Sequence, residues 1–128
     1  MIVVDSSVLI DWFKDITTPQ TDKLAILDPG DILIGDIIML EVLRGARDDV
    51  QARRLEIRLR EFEIAAMLDM QLASKAAAHY RRLRSLGQTI RNSADLIIAT
   101  FCIEYGHALL QADRDFLPMA EHLGLHLA

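Results

Sequence analysis

Short apolar runs alternate along this chain with longer amphipathic stretches. Ile2 to Val4 is a run of three β-favouring residues, which predicts a buried strand. Ser6 or Ser7 can cap a following helix that carries Val8, Leu9, Trp12 and Phe13 on one side. Thr18 before Pro19 marks a second helix start, and "PGD" breaks the chain ahead of "ILIG", a second strand. "IIMLEVLRGA" predicts a helix closed by Gly45, and "DDVQARRLEIRLREF" another, with Leu55, Leu59 and Phe62 at helical spacing. "FEIAAML" fits either a third strand or the tail of that helix. A long helix from about Met70 to Leu86 stops at Gly87, and "SADLIIATFCIEYG" is apolar enough all round to be a buried helix. "HALLQ" and "LGLHL" predict two last strands flanking a short helix from about Phe116 to His122.

Strands separated by helices imply an α/β sandwich, with a central, mostly parallel sheet of four to five strands covered on both faces. No linker, repeat or low-complexity segment interrupts the pattern. At 128 residues, 52% of them hydrophobic, the chain is expected to form a single domain over residues 1–128 with a sizeable core. The one cysteine, Cys102, excludes an internal disulfide and is expected to pack in the core. No secretory signal opens the chain, and the longest apolar run, Leu96 to Ile103, is far short of the roughly 20 residues that span a bilayer. A cytoplasmic protein with no membrane association is expected.

The net charge of −5 argues against a nucleic-acid partner until its distribution is considered. Ten of the eleven arginines lie between Arg44 and Arg91, a segregation that permits a basic surface beside an acidic site. Arg53, Arg54, Arg58 and Arg60 interleave with Glu56, Glu61 and Glu63, which suits a solvated helix face with internal ion pairs. Arg81, Arg82 and Arg84 have no nearby acid in their helix. With Arg91 they are the preferred phosphate contacts.

The acids carry the chemistry. In parallel α/β sheets, ligands bind beyond the C-terminal ends of the strands. Asp5 ends the first strand, Asp113 the fourth, and Asp115 follows two residues on. Asp95 falls in the first turn of the buried helix, and Glu41 sits mid-helix among apolar residues. Each has an ordinary alternative: Asp5 as a helix cap, Asp95 as a charge at a helix N-terminus, Asp113 as a turn residue. Glu41 has no capping job. Carboxylates within ~4 Å repel by on the order of 4 kcal/mol per pair at an effective dielectric near 20. A divalent cation removes that penalty, and oxygen-only ligands select Mg²⁺ or Mn²⁺ over zinc.

"VVDSSVLIDW", "LEVLRG", "TIRNSADLIIA" and "ADRDF" occur in that order. This ordered set resembles PIN-domain ribonucleases, and more closely the VapC-type toxins of bacterial type II toxin–antitoxin modules, over essentially the whole chain. The resemblance implies a PIN-like three-layer sandwich and a metal-dependent endoribonuclease that cleaves RNA, such as tRNA or rRNA, and inhibits translation. It maps an acidic quartet onto Asp5, Glu41, Asp95 and Asp113, with Asp115 auxiliary and Ser7 as a supporting hydroxyl. The first motif reads Asp-Ser-Ser where Asp-Thr-Ser is commoner. A homodimer and a small VapB-type antitoxin are implied too. An antitoxin helix could cover the apolar surplus between Ile37 and Phe62, which includes Leu40, Leu43 and Ile57.

None of His79, His107, His122 or His126 falls in these motifs, and all four are expected at the surface or at strand ends. Two other classes remain open at the level of sequence. A phosphoryl-transfer domain would use the first aspartate as nucleophile, but Ser7 replaces the second acid of an Asp-x-Asp pair. A receiver-type domain would want a late lysine, and the only lysines are Lys14, Lys23 and Lys75. A non-catalytic PIN-fold binding module would not need the quartet.

Overall fold

The computed structural model describes residues 1–128. Four strands, β1 (Ile2–Val4), β2 (Ile32–Gly35), β3 (Glu63–Ala65) and β4 (Ala108–Leu110), form one sheet in the order β3-β2-β1-β4. Every pairing is parallel. Seven helices accompany them: α1 (Ser6–Phe13), α2 (Pro19–Ile26), α3 (Asp36–Arg44), α4 (Asp49–Leu59), α5 (Met70–Ser85), α6 (Ser93–Tyr105) and α7 (Leu117–Leu123). The ambiguous segment around Ile64 is a strand. The expected fifth strand is reduced to one bridge, Leu109 with Leu127.

The strand order fixes where a site can lie. The chain steps from β1 out to β2 and β3, then returns to add β4 on the other side of β1. Right-handed crossovers in opposite directions put α1 to α4 on one face and α5 and α6 on the other. The reversal creates a crevice beyond the C-terminal ends of β1 and β4. The interior strands are apolar without alternation, as burial on both faces requires: Val3, Val4 and Ile34 have no exposed surface, and Ile32 and Leu33 almost none.

Local chemistry sets the helix ends. Thr18 and Thr21 form a reciprocal cap at the start of α2, with Pro19 in its first turn. Asp48 and Asp69 cap α4 and α5. Gly106 ends α6 with φ +71°, a conformation that costs a side-chain-bearing residue energy. Gly35 closes β2 against the Met67 thioether, in space that any Cβ would occupy. Asp36 accepts a hydrogen bond from the Met67 amide at 3.1 Å and so ties the segment after β3 to the start of α3. No helix is long and apolar enough to cross a membrane.

Candidate active site

Asp5 follows β1 directly and is only 2% exposed. It is the N-cap of α1, the ordinary alternative open to it in the sequence, and Ser6 and Ser7, also cap candidates there, lie inside the helix. Its Oδ2 accepts from the Ser7 amide at 3.1 Å and from the Ser7 hydroxyl at 2.6 Å. The Ser7 hydroxyl accepts in turn from the Ala112 amide at 3.0 Å, and the Asp5 amide donates to the Leu110 carbonyl at 2.9 Å. One hydroxyl thus joins the ends of the two strands that bound the crevice. The other oxygen of Asp5, Oδ1, is buried with no hydrogen-bond partner.

Asp95 occupies the third position of α6, behind the Asn92 cap. It is 3% exposed, and its Oδ2 is likewise buried and unpartnered. Burial, followed by the charges of Asp5, Asp113, Glu41 and Asp115, pushes its carboxyl up to about 7. Burial also raises the Asp5 carboxyl, against the lowering effect of the Ser7 hydrogen bonds. Asp113 lies three residues past β4. It caps the 3-10 turn Arg114–Phe116 by accepting from the Asp115 amide at 2.9 Å, so β4 ends earlier than its apolar run suggested. Asp95, Asp113 and Asp115 each offer an oxygen within 4.8 Å of the others. Asp115, which the motif made auxiliary, therefore stands inside the tightest group.

Glu41 reaches the cluster from α3. Burial and then the Asp5 charge raise its carboxyl. Its two oxygens are both engaged, one by the Ser6 hydroxyl at 3.2 Å and the other by the Arg44 guanidinium at 3.9 Å. Ser6 is the residue that motif reading missed. The pattern offered it only as a cap, and nothing local announces that its hydroxyl meets a residue 35 positions away.

The remaining candidates scatter. Arg81, Arg82, Arg84 and Arg91 are exposed and touch none of the acids. Arg84 lies 5.8 Å from the Tyr80 ring. Arg81 lines a groove with Ser93, two residues before Asp95. In α4, Arg60 pairs with Glu56 at 3.6 Å, while Arg58 sits over the Phe13 ring at 4.5 Å. No histidine belongs to the cluster. His107 precedes β4 and stacks on Phe101. His79 departs from the expected surface setting: its Nε2 is buried without a partner, and burial lowers its pKa. Cys102 is core, with burial and then the Asp5 charge pushing its thiol up to about 12.

Two buried carboxylates with bare oxygens are costly unless something compensates them. The donors are all hard oxygen, crowded and partly open to solvent, which fits a Mg²⁺-like ion. Fold and site together define an α/β protein that gathers carboxylates at its sheet's switch point. The PIN domain family profile matches residues 2–121. Ribonuclease VapC11 of Mycobacterium tuberculosis is 30% identical over 132 residues, spanning 100% of this chain and 98% of that protein. Ribonuclease VapC1 of Methanocaldococcus jannaschii is 30% identical over 126 residues, spanning 98% and 85%. The solved structure of VapBC2 from Rickettsia felis, bound to a DNA fragment from their promoter, superposes with TM-score 0.79 at 20% identity over 100% of this chain and 98% of that one. The chain belongs to the PIN-domain family, among the VapC ribonucleases.

Proposed function

We propose that this chain is a single PIN domain that acts as a Mg²⁺-dependent endoribonuclease toxin, with Mn²⁺ able to substitute, and that it silences translation by cutting a structured RNA such as tRNA or rRNA. The observation that carries the reading is the pair of buried, unpartnered carboxylate oxygens on Asp5 and Asp95, in a cluster with Glu41, Asp113 and Asp115. Asp5, Asp95 and Asp113 would hold the ion, with Asp115 beside them. When bound, the ion supplies Lewis acidity at the scissile phosphate and lowers the pKa of an attacking water. Ser7 fixes the Asp5 carboxylate through Oδ2 and leaves Oδ1 without a hydrogen-bond partner. Ser6 and Arg44 hold Glu41 at the rim, where its carboxylate can orient water from a fixed position. Attack in line expels the 3′ oxygen, so the products carry 5′-phosphate and 3′-hydroxyl ends.

A VapB-type antitoxin is the partner of this reading. Leu40 and Ile57 are 57% and 67% exposed, and a cleft between α1, α3 and α4 is lined by Ile10, Phe13, Val42 and Leu55. An amphipathic helix would cover such a surface. A second copy of the chain is the other partner, and the cytoplasm the place of action. The test is to incubate the protein with RNA of mixed sequence in Mg²⁺, Mn²⁺ or EDTA and to type the ends. Cleavage that stops in EDTA and leaves 5′-phosphates is expected. Cyclic 2′,3′-phosphate ends formed in EDTA would reduce Asp5 to a helix cap.

A further inference from the structure

A pocket of about 260 Å³ opens beside the carboxylates, walled by Gln20 of α2, by Gln111, Ala112 and Asp113 beyond β4, and by Arg114 and Leu117. Asp113 belongs both to this pocket and to the acidic group. An occupant of the pocket therefore adjoins whatever the acids hold. The volume falls just under the roughly 300 Å³ at which small-molecule pockets usually begin. That is room for one ring system, open on one side to the rest of a chain.

The lining fits the two surfaces of a nucleobase. Leu117 and Ala112 offer apolar contact to a ring face, and Leu117 is 47% exposed with no other evident use. The polar groups offer a hydrogen-bonding edge. Gln111 spends its Oε1 on the Asp113 amide, at 2.6 Å, so only its NH₂ donors are left. Arg114 has donors only. Gln20 keeps both an amide donor and an amide acceptor. Asp113 adds carboxylate acceptors, one oxygen of which already takes the Asp115 amide, and donors still outnumber acceptors, which matches a base with several ring acceptors and a single exocyclic donor. Adenine has that pattern, and a glutamine amide pairs with it in two-point fashion through its N6 and N7 positions. Guanine, with two donor groups, does not match. Reading unstacked bases by their edges is the usual route to sequence preference on single-stranded RNA.

We infer that this pocket is a nucleobase subsite in which the Gln20 amide selects an adenine next to the scissile phosphate. The inference rests on the nuclease reading, which it deepens by supplying a source of sequence preference. Gln111 acts there partly through Asp113, so Gln20 is the residue to vary.

Two measurements test the subsite separately from the nuclease reading. The first sequences the cut sites that the protein makes in a randomised single-stranded RNA pool with Mg²⁺. Adenine should be enriched at one position adjoining the cut, and Gln20→Leu should flatten that enrichment about tenfold, as loss of one two-point pair implies. Gln20→Glu, which keeps acceptors and loses the donor, should move the preference toward cytosine, whose exocyclic amine donates to a carboxylate. No base preference at that position, or one that both variants leave unchanged, would overturn the assignment. The second titrates nitrogen-15-labelled protein with adenosine 5′-monophosphate in EDTA. Saturable shifts are expected at Gln20, Gln111 and Leu117, weaker with uridine or guanosine monophosphate and absent in Gln20→Leu. Shifts without any metal-dependent cleavage would sink the nuclease reading and leave the base site standing. Cleavage with no shifts and no adenine preference would do the reverse.

Discussion

Asp95→Asn separates a carboxylate held for chemistry from one held for structure, because the two roles predict opposite signs of stability. The Asp95 carboxyl rises from an ordinary 3.8 to about 7, mainly through burial. At 1.36 kcal/mol per pH unit, that rise corresponds to about 4 kcal/mol. The folded protein holds this proton between pH 3.8 and about 7, where the unfolded chain has released it. Stability from this group is therefore complete below pH 3.8 and is lost as pH climbs to about 7. About 4 kcal/mol is a ceiling, since the neighbouring acids titrate with it. In EDTA the variant should match the parent near pH 4 and become more stable than it by a margin that grows up to about pH 7 and then levels off. Urea unfolding at several pH values reads this directly. Added Mg²⁺ should reverse the order, stabilising the parent in proportion to the logarithm of its concentration and the variant far less, while RNA cleavage by the variant falls to background. A variant less stable than its parent at pH 8 in EDTA, or one stabilised equally by Mg²⁺, would refute the reasoning: Asp95 would then be a helix-terminus charge and nothing more.

Three further outcomes follow from the same geometry. Ser6→Ala removes the donor that favours the charged form of Glu41, so the acidic limb of the cleavage pH–rate profile should move to higher pH, and Ser6→Thr should restore it; a profile that stays in place would leave Ser6 a packing residue. Replacing Arg81, Arg82 and Arg84 together by Ala should reduce the salt dependence of RNA binding by about 2 in log–log slope, at roughly 0.7 per phosphate contact on single strands, and an unchanged slope would move the RNA path to α4. Leu40→Glu with Ile57→Glu puts charge on two exposed apolar positions and should abolish co-purification of the antitoxin with cleavage intact; an undisturbed complex would put the partner elsewhere.

Much of this fold is written in local signals. Thr18 with Pro19, Gly45, Gly87 and Gly106 mark element ends where the structure has them, because capping and left-handed termini depend on a few neighbouring residues. The strand at Glu63–Ala65 was ambiguous for a physical reason. It is three residues long at the edge of the sheet, too short for a period of two to differ visibly from the end of a helical stripe. The bridge at Leu127 was over-read as a strand because apolar alternation does not reveal how much partner backbone is available.

The acids show why the choice between cap and ligand could not be made from sequence. A carboxylate has two oxygens, and at Asp5 they have separate jobs. Oδ2 caps α1 through Ser7, as any aspartate after a strand could do. That bond, and the Ser7 link to Ala112, prevents the side chain from rotating, so Oδ1 stays bare in a buried position. Capping is thus what makes the open oxygen possible, not an alternative to it. Asp113 repeats the arrangement with the Asp115 amide. Glu41 stood out in the sequence for lacking a cap partner, yet it is the acid most fully engaged by its own chain, through Ser6 and Arg44. Sequence spacing identified which acids converge. Which oxygen of each is engaged is decided partly by neighbours two residues away, Ser7 at Asp5 and the Asp115 amide at Asp113, and partly by contacts that only the fold makes, the Ala112 amide with Ser7 and Ser6 with Glu41.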